Sequence, residues 1–142
     1  MFMGTYEHSL DTKGRVIIPA KFREALGETF VIAPGPDGCL FAYPEEKWGS
    51  FVEKLETMPG SKDVRLFQRR IMAGAATCEL DKQGRTLIPP KLRAKFGLEK
   101  DVVLVGVMSK IEIWSRERWE EIENYDDMDE IAEQMAEFGL NY

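Results

Sequence analysis

The sequence contains little of the chemistry on which most enzymes and metal sites depend. His8 is the only histidine, and Cys39 and Cys78 are the only cysteines, without Cys-x-x-Cys spacing. Metal sites and nucleophilic catalysis need such residues in groups or beside a base, so we predict no metal, no cofactor and no catalytic residue. Both thiols would stay reduced in the cytosol, and we expect them to be buried as small hydrophobic side chains.

Other signatures are missing as well. The chain has no GxxxxGK[ST], HExxH or GxSxG motif, which argues against the common nucleotide-binding and hydrolytic sites. No apolar run approaches the roughly 18 to 20 residues of a membrane span, and the first ten residues lack the order of a signal peptide. With 44% hydrophobic residues in 142, the chain can still bury a core. We therefore predict a cytoplasmic protein that is not an enzyme and has no membrane partner.

A long internal repeat is the main positive feature. LDTKGRVIIPAKFREALG at 10–27 returns as LDKQGRTLIPPKLRAKFG at 80–97, with nine of eighteen positions identical. With one extra residue in the second copy, the similarity continues through Gly35/Gly106, Tyr43/Trp114 and Trp48/Trp119. A unit of roughly fifty residues has been duplicated, and two equal surfaces suit a periodic target better than a single catalytic pocket.

Charge is segregated along the chain. The net charge of -6 argues against a nucleic-acid partner, yet segments 11–23, 61–72 and 79–95 each sum to +3, whereas 112–142 sums to -9. Such asymmetry indicates a basic working surface and a separate acidic tail. An ordinary solvated face would explain each basic run alone, but both copies place their basic residues at the same relative positions.

Turn residues and hydrophobic spacing predict the same order in both copies: strand, turn, strand, short helix, strand, hairpin, strand, helix. In the first loop, Asp11 and Gly14 have the spacing of a type I turn closed by a glycine bulge, with Gly14 at positive φ. We divide the chain into a first repeat at 5–57, a connecting helix within 58–74, a second repeat at 75–125 and an acidic C-terminal helix at 126–142. The fold class is α+β, mainly β. The tail helix would begin near Tyr125 and carry one apolar stripe: Met128, Ile131, Met135 and Phe138.

The residues most suggestive of function form an Asp-x-x-x-Arg pattern, which occurs in both loops. In one interpretation it is structural: the Asp caps the turn and the Arg pairs with a carboxylate. In the other, an Arg at the base of a two-stranded loop reaches bases or phosphates, as in β-ribbon DNA readers. The rival function is a protein-interaction module in which both arginines make ion pairs and DNA is never touched. We predict DNA binding through Asp11, Lys13, Arg15, Lys21, Arg23, Asp81, Lys82, Arg85, Lys91 and Arg93.

With these two segments, the chain resembles the MraZ family of bacterial transcriptional regulators, built from two SpoVT/AbrB-like modules. The resemblance extends from YEHSLDTKGR to the helix ending near Tyr125. It implies a duplicated swapped-hairpin-type β-barrel with flanking short helices, ring-shaped homo-oligomers and association with the nucleoid. It also implies binding of double-stranded DNA at direct repeats in the promoter of the division and cell-wall gene cluster, through the Asp-x-x-x-Arg loops.

The aromatic content also predicts self-association. Two small modules need fewer large apolar side chains than this chain has, and both repeats end in helices that could pack against a neighbour. Since the modules are similar but not identical, the second module of one chain could dock on the first of the next, and such contacts can close into a ring. We expect an oligomer larger than a dimer, held together through Trp48, Phe51, Phe67, Trp119 and Phe138.

Overall fold

The computed structural model of the chain describes residues 1–124 and 127–141. The predicted order of elements is confirmed in both repeats. In the first half the elements are β1 (Phe2–Ser9), β2 (Arg15–Ile17), α1 (Ala20–Leu26), β3 (Thr29–Pro34), a 3₁₀ turn (Pro36–Gly38), β4 (Leu40–Pro44), α2 (Glu45–Glu56) and α3 (Lys62–Gly74). In the second half they are β5 (Ala76–Glu79), β6 (Arg85–Leu87), α4 (Pro90–Lys95), β7 (Asp101–Met108), β8 (Lys110–Ser115), α5 (Arg116–Glu123), α6 (Met128–Met135) and a 3₁₀ turn (Ala136–Phe138).

The two repeats exchange their first strands. A six-stranded antiparallel sheet has the order β1-β7-β8-β4-β3-β5, and β2 pairs with β6 in a separate two-stranded ribbon. Strand β1 of the first repeat lies on β7 of the second, from Phe2 opposite Met108 to Ser9 opposite Asp101. Strand β5 of the second repeat lies on β3 of the first in the same way. The repeats therefore interlock, and neither forms its sheet alone.

The α+β class with a mainly antiparallel sheet is confirmed, whereas a closed barrel is not found. Throughout residues 1–124 and 127–141, the ladders leave β1 and β5 as the two edges of an open sheet. Strands β2 and β6 have only three residues each and pair with one another. Neither of them pairs with β1 or β5, so the described strands do not close the sheet into a barrel.

One main hydrophobic core joins both repeats. The inner side of the ribbon contributes Val16, and the short helices contribute Phe22 and Leu92. Phe22 packs edge-to-face on Phe2 and Tyr6, with ring centroids 5.6 and 5.1 Å apart. A smaller cluster on the other face of the sheet contains Cys39, Val103 and Trp114, packed against Trp119.

Both cysteines are free and buried, as predicted. Burial raises the pKa of the Cys39 thiol to about 12 and that of the Cys78 thiol to about 11. At neutral pH both are protonated thiols, and the thiolate is the reactive form. They serve as packing groups.

The C-terminal helix is shorter than predicted. The structure gives α6 at Met128–Met135, and the last turn ends at Gly139, whose φ of 86° terminates it. Residues 125, 126 and 142 of the predicted helix lie outside the described residues. The apolar stripe is on the surface, with Met128 64% and Phe138 82% exposed. No helix in the described part of the chain has the length and apolarity needed to cross a membrane.

Candidate nucleic-acid interface

Each Asp-x-x-x-Arg loop is held by its own aspartate. In the first loop, Asp11 Oδ1 accepts the backbone N–H groups of Lys13 and Arg15, both at 2.9 Å. In the second loop, Asp81 Oδ1 does the same for Gln83 and Arg85, also at 2.9 Å. The loops close at glycines of positive φ, 87° at Gly14 and 76° at Gly84, which confirms the predicted conformation of Gly14.

The same aspartates orient the arginines. Arg15 Nε lies 2.6 Å from Asp11 Oδ2, and Arg85 Nε lies 2.8 Å from Asp81 Oδ2. The two Nη groups of each guanidinium make no hydrogen bond to protein in the described part of the chain. The carboxylate thus fixes the Nε edge of the guanidinium and leaves the Nη donors for a ligand.

Hydrogen bonding keeps these carboxylates ionised. The backbone N–H of Arg15, followed by its side chain, lowers the pKa of Asp11 to about 2. The backbone and side chain of Arg85 likewise lower the pKa of Asp81. Both orienting groups are therefore anionic across the physiological range, and the arginine geometry does not depend on pH there.

Pairing of β2 with β6 brings the two loops together. Arg15 lies opposite Leu87, and Arg85 lies opposite Ile17, so all four residues share the outer face of the ribbon, because side chains alternate along a strand. Arg85 Nη1 is 3.9 Å from Asp11 Oδ2, an ion pair between the repeats. The arginines predicted to bind DNA therefore also form the ion pairs of the structural interpretation, and they lie side by side on the ribbon.

Two aliphatic residues on this face were missed by the sequence analysis. Ile17 is 41% and Leu87 49% exposed, whereas Val16 and Thr86 between them and the arginines are buried. The segments VII and TLI predict strands, and the available signal was that Ile17 and Leu87 lie two residues after the arginines, on the same side of a strand. An apolar side chain exposed beside an arginine on a ribbon is able to contact a ligand's apolar surface.

Arg23 of α1 and Arg93 of α4 pack against the loops and support them. Arg23 Nε donates to the Ile18 carbonyl at 2.7 Å, and Arg93 Nε donates to the Ile88 carbonyl at 2.9 Å. A side chain at Gly14 would overlap the Arg93 guanidinium, and one at Gly84 would overlap that of Arg23. Each helix arginine therefore underlies the loop of the other repeat, an arrangement that the repeat pattern alone does not reveal.

The four lysines of the predicted site are all exposed. Lys13 and Lys82 lie in the loops, at different positions of the turn, and Lys21 and Lys91 lie on α1 and α4, which follow the ribbon strands. No group of three or more His, Cys, Asp or Glu side chains in the described residues could hold a metal ion. The role of the four lysines in DNA binding stays a prediction.

Comparison with known proteins gives consistent similarities over the whole chain. The family model described as "MraZ protein, putative antitoxin-like" matches residues 1–70 and again 71–139. A protein of Lachnoclostridium phytofermentans named transcriptional regulator MraZ is 62% identical over 142 residues, covering 100% of both chains. Proteins of the same name from a Thermoanaerobacter species and from Clostridium beijerinckii are 53% and 51% identical, covering 99% of this chain and 100% of their own.

Proposed function

This chain belongs to the MraZ family, and on that premise we propose that it is a sequence-specific DNA-binding transcriptional regulator and not an enzyme. The observation that carries the proposal is the pair of Asp-x-x-x-Arg loops on one exposed ribbon. Their arginines are oriented by Asp11 and Asp81 through Nε, with the Nη donors left available. This geometry favours recognition of a hydrogen-bonding groove over a purely structural ion pair.

In the proposed complex, the outer face of the β2–β6 ribbon enters the major groove. Arg15 and Arg85 then donate to base edges, where a bidentate contact with guanine is the commonest specific one. Ile17 and Leu87, exposed on the same face, contact thymine methyl groups or sugars. The aspartates keep each guanidinium in one rotamer, which lowers the conformational entropy lost on binding.

The remaining predicted residues act on the DNA backbone or on the loops. We assign phosphate contacts to Lys13, Lys82, Lys21 and Lys91, which are exposed on the loops and adjacent helices. Arg23 and Arg93 position the loops through the contacts described above, and we assign their remaining donors to phosphate contacts. Removal of a phosphate contact weakens binding to all sequences, whereas removal of a base contact relaxes specificity.

Repetition and assembly complete the proposal. The exchange of β1 and β5 between the repeats supports a swapped-hairpin arrangement of two modules, at 5–57 and 75–125, with 58–74 as connector and 126–142 as tail. The chain assembles as a ring-shaped homo-oligomer in the cytoplasm, at the nucleoid. Many identical ribbons then engage direct repeats in the promoter of the division and cell-wall gene cluster, since tethering makes each later contact effectively intramolecular.

Footprinting of the full chain on that promoter tests the function. We expect protection of direct repeats that weakens with salt, because phosphate contacts release counterions. Arg15→Ala and Arg85→Ala should lose the footprint at concentrations where wild-type protein protects fully. Arg116→Ala removes the same charge from an exposed residue of α5 and should keep it. Equal protection by all four proteins, or none by the wild type, would contradict the proposal.

A further inference from the structure

Helix α3 presents an exposed apolar and basic face. Of its apolar residues only Ile71 is buried, in contact with the sheet, while Leu66, Phe67 and Met72 are 52%, 49% and 48% exposed. The helix also carries four basic residues against the single acidic Asp63: Lys62, Arg65, Arg69 and Arg70. A face that is both apolar and strongly basic is complementary to an acidic amphipathic segment.

Two grooves flank this face. One, of about 820 Å³, runs between α3 and α4, with walls that include Leu66, Ala73 and Leu92 and a rim that includes Arg69 and Lys95. The other, of about 390 Å³, is aromatic and lies between α2, α3 and the sheet, lined in part by Tyr43, Trp48, Phe51 and Phe67. Arg70 borders both grooves. Apolar walls beside arginines suit the side chains of a docked helix.

Helix α6 has the opposite character. Its acidic residues are Asp129, Glu130 and Glu133, followed by Glu137 in the last turn, and the segment 127–141 has no lysine or arginine. Its apolar side chains Met128 and Phe138 are exposed, as is Leu140 at 60%. The helix is thus an acidic amphipathic segment whose apolar stripe is exposed at both ends and half-buried at Ile131 and Met135.

The duplication relates these two helices. Each repeat is followed by one of them, since α3 comes after α2 and α6 comes after α5. The two helices have opposite charge. Within one chain, α5 contacts β7 and β8 whereas α3 contacts β3, and β4 separates β8 from β3 in the sheet. Helix α6 itself packs mainly on its own last turn, so a second copy can supply the partner for α3.

We propose that α6 of one copy docks on α3 of a second copy, with its carboxylates on the arginine rim and its apolar stripe, including Phe138, on the flanking grooves. The contact is heterologous, joining the end of one chain to the middle of the next, so its repetition builds a closed ring or a filament. The inference rests on the oligomeric part of the proposed function, and Lys91, which we assign to a phosphate contact, also borders the larger groove.

Charge reversal in the full-length protein tests this docking. Glu130→Lys/Glu133→Lys places basic residues opposite a basic face, and Arg69→Glu/Arg70→Glu places acidic residues opposite an acidic helix. Like-charge contacts cost several kcal/mol, so either double variant should weaken self-association by about a hundredfold. Light scattering across a protein concentration series, without DNA, measures the change. Glu121→Lys/Glu123→Lys on α5 makes the same change in net charge as Glu130→Lys/Glu133→Lys and should leave association unchanged.

Mixing identifies the partner. In an equimolar mixture of the two reversed variants, each helix α6 again meets an α3 of opposite charge on the other protein, so the assembly should return. Docking within one chain would instead be restored only by combining all four substitutions, and failure of the mixture to associate would overturn the proposal. An unchanged oligomer in both variants would overturn the docking alone, whereas a monomeric wild type would overturn the oligomeric part of the proposed function and the docking with it.

Discussion

The first and second repeats keep the same loop chemistry but differ in what surrounds it. Both have an aspartate that caps the turn, a glycine of positive φ and an arginine paired through Nε. The ribbon residues beneath the loops differ, with Val16 in one repeat and Thr86 in the other. The helices that follow the repeats differ most in charge, since α3 is basic and α6 is acidic, and both carry exposed apolar side chains.

A duplicated unit must keep some residues for its own geometry and can change others that contact its surroundings. Where the backbone and the arginine geometry must be reproduced, the two repeats have identical residues. Where the two repeats have different surroundings, their residues have diverged. Substitutions at corresponding positions therefore test which features the repeats share, and the expected effects below run from the largest to the smallest.

The loop glycines should give the largest effect on stability. Gly14→Ala and Gly84→Ala each combine positive φ with overlap against an arginine of the other repeat, and we expect each to lower the free energy of unfolding by about 2 kcal/mol or more. Gly97→Ala is a matched control, because Gly97 also has positive φ, 67°, but open space around it. It should cost only about 1 kcal/mol. Urea unfolding measures all three, and equal losses would show that the overlap is relieved without cost.

Arg15→Ala and Arg85→Ala should give the largest effect on DNA binding. Each removes the donors proposed for one base contact, a loss of about 1 to 3 kcal/mol in binding free energy. Because both arginines are partly exposed, unfolding stability should change by no more than about 0.5 kcal/mol. Fluorescence anisotropy with operator and scrambled duplexes measures the affinity and the loss of discrimination.

The two arginines also test whether the loops contribute equally. Arg85 alone has a second carboxylate nearby, Asp11 of the other repeat, and Lys13 and Lys82 occupy different turn positions. If one variant lost all sequence discrimination and the other lost none, a single loop would read the DNA and the other would be structural. Loss of the unfolding transition or of the oligomer in either variant would instead favour the structural ion-pair interpretation.

Replacing Thr86 should change the free energy of unfolding by a smaller amount and in the stabilising direction. It is 1% exposed, and its hydroxyl has no hydrogen-bond partner within the described residues. A buried polar group without a partner is destabilising, so Thr86→Val, which copies Val16 of the first repeat, should raise the free energy of unfolding by about 1 kcal/mol. The reciprocal Val16→Thr should lower it by a similar amount. Urea unfolding at fixed protein concentration measures both, and a destabilised Thr86→Val would point to an unseen partner for the hydroxyl.

Local chemistry explains which features the sequence predicted well. The loop conformation follows from the spacing of Asp11 and Gly14, because the side-chain cap and the glycine of positive φ are both local to the turn. The resemblance implied a swapped-hairpin fold, but the particular cross-repeat contacts do not follow from local chemistry, because β1 on β7 and Arg93 beneath Gly14 depend on how distant strands pair. Ile17 and Leu87 look like core residues until that pairing defines an outer face. The open sheet edges likewise follow from the β2–β6 pairing, which no single repeat encodes.

The smallest effect concerns the aspartates below neutral pH. The pKa of Asp11 is lowered from 3.8 to about 2, first by the backbone N–H of Arg15 and less by its side chain. A carboxyl with a lowered folded-state pKa contributes stability above its unfolded value, and this contribution is lost as pH falls from about 4 through 2. Arg15→Ala retains the backbone donors, so the pKa of Asp11 should rise only part of the way, and Arg85→Ala should do the same to Asp81. Carboxyl-carbon NMR titration measures both, and a return of Asp11 to 3.8 in Arg15→Ala would show that the side chain, and not the turn, holds the carboxylate.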